Sequence, residues 1–209
     1  MTPRRAGAIL AVALVGAIFA LALLWSLLEG STGVLAYGIV DEPAHLATCV
    51  VALLAIVALT GVRPPGLFVT AALVASVAID LDHLPGYLGS HLVTGNLPRP
   101  YSHSLLTVAV LLALGIALKQ RDRRQVALGV AFGISAHLLR DLATGPGVSL
   151  LWPFSDTAVT IPYAVYAGGL LLAVAGVAFT ARRASATARL APRRLGAQPL
   201  PSAGPPGGS

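Results

Sequence analysis

The chain has 209 residues, of which 56% are hydrophobic and only 11% charged, and its mean hydropathy is +0.81. A soluble domain carries about 25% charged residues, so this composition excludes an ordinary soluble globule and disorder over most of the chain, and it indicates an integral membrane protein. The formal charge of +6 raises the question of an acidic partner, while a single cysteine, Cys49, excludes an intrachain disulfide and a cysteine-built zinc site.

After the basic start Met1–Arg5, Ala6–Leu28 carries no charge. At about 1.5 Å per residue it spans about 34 Å, enough for a bilayer core. It exceeds the apolar stretch of a cleaved signal peptide, about 7–15 residues, and is read as a retained helix. A second span is Ala44–Val62, with Asp41 and His45 at its start and Pro43 in its first turn, where proline is tolerated. The third is Gly66–Ile79, running on into Asp80-Leu81-Asp82-His83 before Pro85. Leu105–Leu118 is the fourth, preceded by Tyr101-Ser102-His103-Ser104, with Ser102 read as its N-cap. The fifth, Val126–Leu139, continues to Asp141, and the sixth is Val159–Thr180. Three of these runs are short and reach spanning length only if their polar ends continue as helix. Residues 184–209, rich in Ala, Arg, Pro and Gly, read as a disordered basic tail behind a membrane-embedded helical domain over residues 1–183. The expected fold is all-α, a polytopic membrane bundle of about six transmembrane helices.

Six spans put both termini on one side. Under the positive-inside rule the inner side then holds Arg4, Arg5, Arg63, Lys119, Arg121, Arg123, Arg124, Arg182, Arg183, Arg189, Arg193 and Arg194, with Asp122 as its only acid. The outer side holds Glu29, Asp41, Glu42, Asp80, Asp82, Asp141 and Asp156 against Arg99 and Arg140. Inside sums to +11 and outside to −5. The basic total is therefore an orientation signal and an affinity for anionic inner-leaflet lipid, and no nucleic-acid partner is expected. Both termini are expected in the cytoplasm, with the acidic rim on the extracytoplasmic face of the cytoplasmic membrane.

All five histidines lie at that outer rim. Asp41 and His45 are four apart, Asp80 and His83 three apart, His137 and Asp141 four apart, and His103 opens the fourth span. Residues three or four apart share a helical face, so each helix can aim one or two ligands inward. Imidazole and carboxylate ligands on facing helices are a known way to hold metal in a bundle core. The expected metal ligands are His45, Asp80, His83, His103, His137 and Asp141, with Asp41 and Asp82 as further ligands or their supports. Asp82 points nearly opposite Asp80 if the segment is α-helical and beside it if extended. His91 sits in a loop and reads as solvent-exposed; Cys49 reads as core. Arg99 and Arg140 stand next to the ligands, either as ion-pair partners of neighbouring acids or as a clamp on a substrate phosphoryl or carboxyl group.

Asp80-Leu81-Asp82-His83, Tyr101-Ser102-His103-Ser104, Ser135-Ala136-His137-Leu138-Leu139-Arg140-Asp141 and Gly147-Val148-Ser149-Leu150-Leu151-Trp152-Pro153 together resemble the YdjM-like family of membrane-bound metal-dependent hydrolases. That family shows D-x-D-H, T-H-S and S-H-x-x-x-D segments leading into a T-P-x-G-V-x-L-x-W-P stretch. His45 matches its histidine in the first membrane helix. The order agrees over about residues 40–155. Tyr101 and Ser102 depart from the family's usual residues, Thr144-Gly145-Pro146-Gly147 replaces Thr-Pro-x-Gly, and the first span is extra to many members. The family is distantly similar to the zinc-dependent phospholipase C and nuclease superfamily, which implies phosphoester chemistry by analogy.

The expected function is metal-assisted hydrolysis of a phosphoester or lipid-linked substrate at the outer interface, with one to three divalent ions, zinc first and manganese second. Asp82 or Asp41 would be the general base and Arg99 and Arg140 the groups holding the phosphate. The alternatives are a non-catalytic membrane protein with a structural His/Asp metal site, and a metal or proton transporter. A transporter needs ionisable groups through the midplane, and spans one, four and six have none there.

Overall fold

The computed structural model describes residues 3–28 and 34–190, all helix, turn or loop apart from one isolated antiparallel bridge, Val148 to Val159. The helices are α1 (Pro3–Leu28), α2 (Val34–Thr60), α3 (Gly66–Ala78), α4 (Leu84–Tyr87), α5 (Leu105–Ala117), α6 (Arg121–Asp141) and α7 (Tyr163–Leu190). A 3-10 segment, Ile79–His83, joins α3 to α4, so these two form one helical unit and the described residues hold six. Four are long and apolar enough to cross a bilayer: Ala6–Leu24, Asp41–Thr60, Gly66–Tyr87 and Tyr163–Ala184. The all-helical membrane reading holds. Glu29, Arg193, Arg194 and residues 191–209 of the expected tail lie outside the described residues, while residues 184–190 continue α7.

Several boundaries differ from the sequence reading, among them that of the sixth span, whose helix begins at Tyr163 and not at Val159, which pairs with Val148 instead. Helix α2 begins well before Pro43, which therefore lies inside it and not in its first turn. Proline is tolerated deep in membrane helices because neighbours re-satisfy the backbone. The third and fifth spans do gain length from their polar ends, the third through the 3-10 segment to Tyr87 and the fifth from Arg121 to Asp141. The fourth does not. Ser104, with extended φ −138° and ψ 159°, accepts a hydrogen bond from the Thr107 N–H, and Leu118 is extended at the other end. The N-cap is thus Ser104, not Ser102. At about 20 Å, α5 is shorter than the hydrocarbon core of about 30 Å.

Packing falls into three clusters. Val15, Ile18, Ala44, Ala47, Val51, Tyr166 and Leu170 join α1, α2 and α7. Ala75, Val108, Ile134, Leu138 and Val148 join α3, α5 and α6. Between them, Cys49, Leu53, Ala72 and Ala136 join α2, α3 and α6, and Cys49 is fully buried as expected. Large apolar side chains such as Ile9, Leu59, Val74, Ile116 and Leu172 face outward, as lipid permits.

The closest approach is α3 against α6. A Cβ on Gly133 would strike the Ala72 carbonyl oxygen, and one on Gly129 the Phe68 carbonyl oxygen. Small residues four apart let two membrane helices meet backbone to backbone. Gly129, Gly133, His137 and Asp141 follow one another at intervals of four, so the line that packs on α3 also carries the two ligand candidates of α6.

The orientation inferred from charge has a direct test. His91 is exposed, as read from the sequence, and so is Asp122. In intact cells a cysteine at His91→Cys is expected to react with a membrane-impermeant thiol reagent and one at Asp122→Cys not to. The reverse pattern overturns the orientation.

Candidate metal centre

His137 is fully buried and its tautomer follows from its contacts. Nδ1 lies 2.9 Å from the Ser76 carbonyl oxygen on α3. A carbonyl only accepts, so Nδ1 carries the hydrogen and donates. Nε2 then faces two carboxylates, Asp141 Oδ2 at 3.1 Å and Asp80 Oδ1 at 3.2 Å. His137 Nε2 and both Asp141 oxygens are buried with no hydrogen-bond partner among the described residues. A histidine pinned at one nitrogen by a backbone carbonyl, with the other turned on carboxylates, is the usual posture of a metal-ligating imidazole.

The 3-10 segment Ile79–His83 supplies the centre of the cluster. With three residues per turn, Asp80 and His83 eclipse, whereas Asp82 sits about 120° away from Asp80. This geometry lies between the α-helical and extended alternatives, and it keeps all three on the cluster. Asp80 Oδ1 is 3.0 Å from His103 Nε2, 3.2 Å from His137 Nε2 and 3.4 Å from His83 Nδ1. Asp82 Oδ1 is 3.2 Å from His83 Nδ1, and its Oδ2 accepts from the Ser102 hydroxyl and lies 3.7 Å from His103 Nδ1. Ser102, freed from capping α5, therefore holds Asp82.

Helix α2 closes the other side. His45 is fully buried and stacks on His137, ring centres 3.8 Å apart. Its Nε2 is 3.3 Å from Asp41 and 3.5 Å from Asp141. Arg99 and Arg140 are also here, both buried. Arg140 donates to Asp41 Oδ1 through Nε at 3.0 Å and also through Nη2. Arg99 Nη2 is 3.1 Å from Asp141 Oδ1 and donates to the Thr144 carbonyl. In this state each guanidinium serves a carboxylate.

All ten residues singled out from the sequence thus meet in one cluster. Three overlapping sets bring their ligand atoms within 4.8 Å of one another: Asp80, Asp82, His83 and His103; His45, Asp80 and His137; His103, His137 and Asp141. Among the described residues, the carboxylates of Asp41, Asp80, Asp82 and Asp141 face the guanidiniums of Arg99 and Arg140 and the imidazoles of His45, His83, His103 and His137, which compensate the charge only if protonated. Buried excess negative charge is costly without a compensating cation.

Two participants were not singled out. The Ser76 carbonyl leaves no sequence signal, because every residue has one. Glu42 had a signal, lying beside Asp41 and three before His45, but was read only as part of the acidic rim. It lines one groove with Asp80, and the two carboxyl groups are in hydrogen-bond contact.

The loops that complete the site are fixed on one another. Tyr101 stacks on Trp152, ring centres 4.5 Å apart, Leu105 N–H donates to the Leu150 carbonyl, and Val148 pairs with Val159. These contacts join Tyr101-Ser102-His103 to the stretch that follows Asp141.

The family described as YdjM inner membrane protein matches residues 40–193, which takes in every residue of the cluster. The chain belongs to the YdjM family. The matched region begins inside α2, so α1 lies ahead of it. Inner membrane protein YdjM of Escherichia coli (strain K12) and that of Shigella flexneri are each 33% identical over 96 residues, 41% of this chain and 48% of the relative. The chain therefore matches about half the length of these YdjM proteins. No solved structure matches. The family's description as an inner membrane protein agrees with the four helices able to cross a bilayer.

Proposed function

We propose that this YdjM-family chain is a membrane-embedded metal-dependent hydrolase that acts on a phosphoester at the outer face of the cytoplasmic membrane. The reading is carried by the buried convergence around His137, where Nε2 lies 3.1 Å from the Asp141 carboxylate and 3.2 Å from that of Asp80, with His45 and His103 beside them. The donor set fits a divalent cation. His45, Asp80, His83, His103, His137 and Asp141 would hold it, and three overlapping sets give room for more than one ion. The imidazoles suit zinc, and the carboxylates admit manganese. When bound, such an ion lowers the pKa of water from 15.7 to about 7 and polarises a phosphoryl oxygen.

The remaining roles belong to the chain itself. The Asp82 side chain is partly exposed, and its Oδ1, 3.2 Å from His83 Nδ1, is held by no hydrogen bond among the described residues. It is the carboxylate placed to take a proton from the attacking water. Asp41 is engaged by Arg140 and His45, so it orients His45. Arg99 and Arg140 hold Asp141 and Asp41, and either could clamp a phosphate only by leaving its carboxylate. The choice of phosphoester rests on the distant likeness to the phospholipase C and nuclease superfamily.

Elemental analysis of the protein purified in detergent tests the reading. At least about one zinc or manganese per chain is expected, with a lower unfolding temperature after chelation. His137→Ala and Asp141→Ala are expected to lose that metal. Less metal than this, with stability indifferent to chelation, overturns the metal. Full metal with no phosphoester turnover would instead favour a structural site.

A further inference from the structure

The cluster is closed on most sides. His45, His137 and Asp141 are 0% exposed, His103 1%, and Arg140 and Arg99 cover it. One opening is a shallow, largely open groove of about 430 Å³ between α2 and α3, lined by Glu42, Val74, Val77, Ala78, Asp80 and Leu81. That volume falls within the range of about 300–1,000 Å³ of small-molecule sites. Its two ends differ in chemistry. Glu42 and Asp80 make one polar end, and Val74, Val77, Ala78 and Leu81 make an apolar wall about 10 Å long on the helix.

The surroundings of that wall are set by the helix that carries it. Gly66–Tyr87 is one of the four stretches able to cross a bilayer. Val74 and Leu81, on its outward side, are 59% and 63% exposed, so the groove opens onto acyl chains and not onto water. A water-soluble ester would have to cross hydrocarbon to use it. A lipid would lie along the wall and bring its head to Asp80 Oδ1, the oxygen already shared by His83, His103 and His137. Glu42, whose carboxyl lies against that of Asp80, adds a second acidic group there, and a hydroxyl or ammonium on the head could donate to the pair. Asp82 and His83, both partly exposed, leave a separate path for water.

We propose that the groove between α2 and α3 is a binding site for a membrane lipid whose donor-bearing headgroup reaches Glu42 and Asp80, and that the cluster takes its phosphoester substrate through it. The second half rests on the hydrolase reading above; the first does not. The test reconstitutes the full chain in nanodiscs containing phosphatidylethanolamine with a diazirine on its acyl chain. After irradiation, crosslinks are expected to concentrate on the peptides bearing Glu42 and Val74–Leu81, above those at Leu172, an equally lipid-facing residue of α7. Val74→Trp, which fills the groove from its lipid side, is expected to reduce these crosslinks to the Leu172 level and to slow turnover of a vesicle-borne phospholipid, with metal content retained. Crosslinking no greater than at Leu172, or indifferent to Val74→Trp, overturns the lipid site. Crosslinks that obey the prediction while the metal-loaded protein hydrolyses no phospholipid would leave the lipid site standing and refute the hydrolase reading.

Discussion

Replacing Asp80 by asparagine is expected to lower metal affinity by at least about 100-fold and to remove hydrolytic activity. Asp80 Oδ1 sits within 3.0 to 3.4 Å of three imidazoles from three segments, His83, His103 and His137, and Asp80 belongs to two of the three ligand sets. Loss of an outer-shell partner typically costs 10- to about 100-fold in metal affinity, so the shared ligand itself should cost no less. Asparagine keeps the shape and one oxygen but removes the charge, and a neutral amide oxygen is a weaker ligand for a divalent cation than a carboxylate. Asp80 is not fully buried, so the fold is expected to survive. Titration of the apo variant with zinc, read by competition with a chromogenic chelator, checks this. Wild-type affinity would show that the cluster is not organised around Asp80.

The second large effect is predicted at Gly133, which touches no ligand. A Cβ there meets the backbone carbonyl of Ala72, and backbone cannot rotate away as a side chain can. Overpacking of this kind costs about 1–3 kcal/mol, and Gly133→Leu should exceed Gly133→Ala. The consequence goes beyond stability. Forcing α6 off α3 lengthens the bond between His137 Nδ1 and the Ser76 carbonyl, now 2.9 Å, and turns Nε2 away from Asp80. Unfolding temperature and metal content should therefore fall together. Gly168→Ala on α7 is the control. Nothing lies within 4 Å of its would-be Cβ, and exchanging glycine for alanine inside a helix is neutral or stabilising by up to about 1 kcal/mol. Equal behaviour of Gly133→Leu and Gly168→Ala would refute the close-packing account.

Local order in the chain made much of this legible. The uncharged runs announced the helices, and pairs spaced three or four apart announced which polar residues share a face. Asp41 with His45, Asp80 with His83, and His137 with Asp141 all meet as their spacing implied. The same reading mistook the start of α2, because a proline marks a first turn in soluble helices and membrane helices accept it further in. It also placed the cap of α5 two residues early. Ser102 and Ser104 are equally good capping residues, and only the contact of Ser102 with Asp82 separates their roles.

What the sequence determined on its own is the helical membrane class, the supply of imidazole and carboxylate, and their grouping into helix-sized pairs, since these depend only on composition and on the 3.6-residue period. What the tertiary structure decided is how the pairs combine. The 3-10 turn sets the angle between Asp80 and Asp82, Gly129 and Gly133 set the α3–α6 distance, and that distance brings the His137 Nδ1–H onto the Ser76 carbonyl. The arginines were undecided between substrate and neighbour until folding placed Arg140 on Asp41 and Arg99 on Asp141. The physical reason is range. Helical periodicity is written within one turn, whereas a site built from four helical units depends on how closely their backbones approach, and that follows from contacts between residues far apart in the chain.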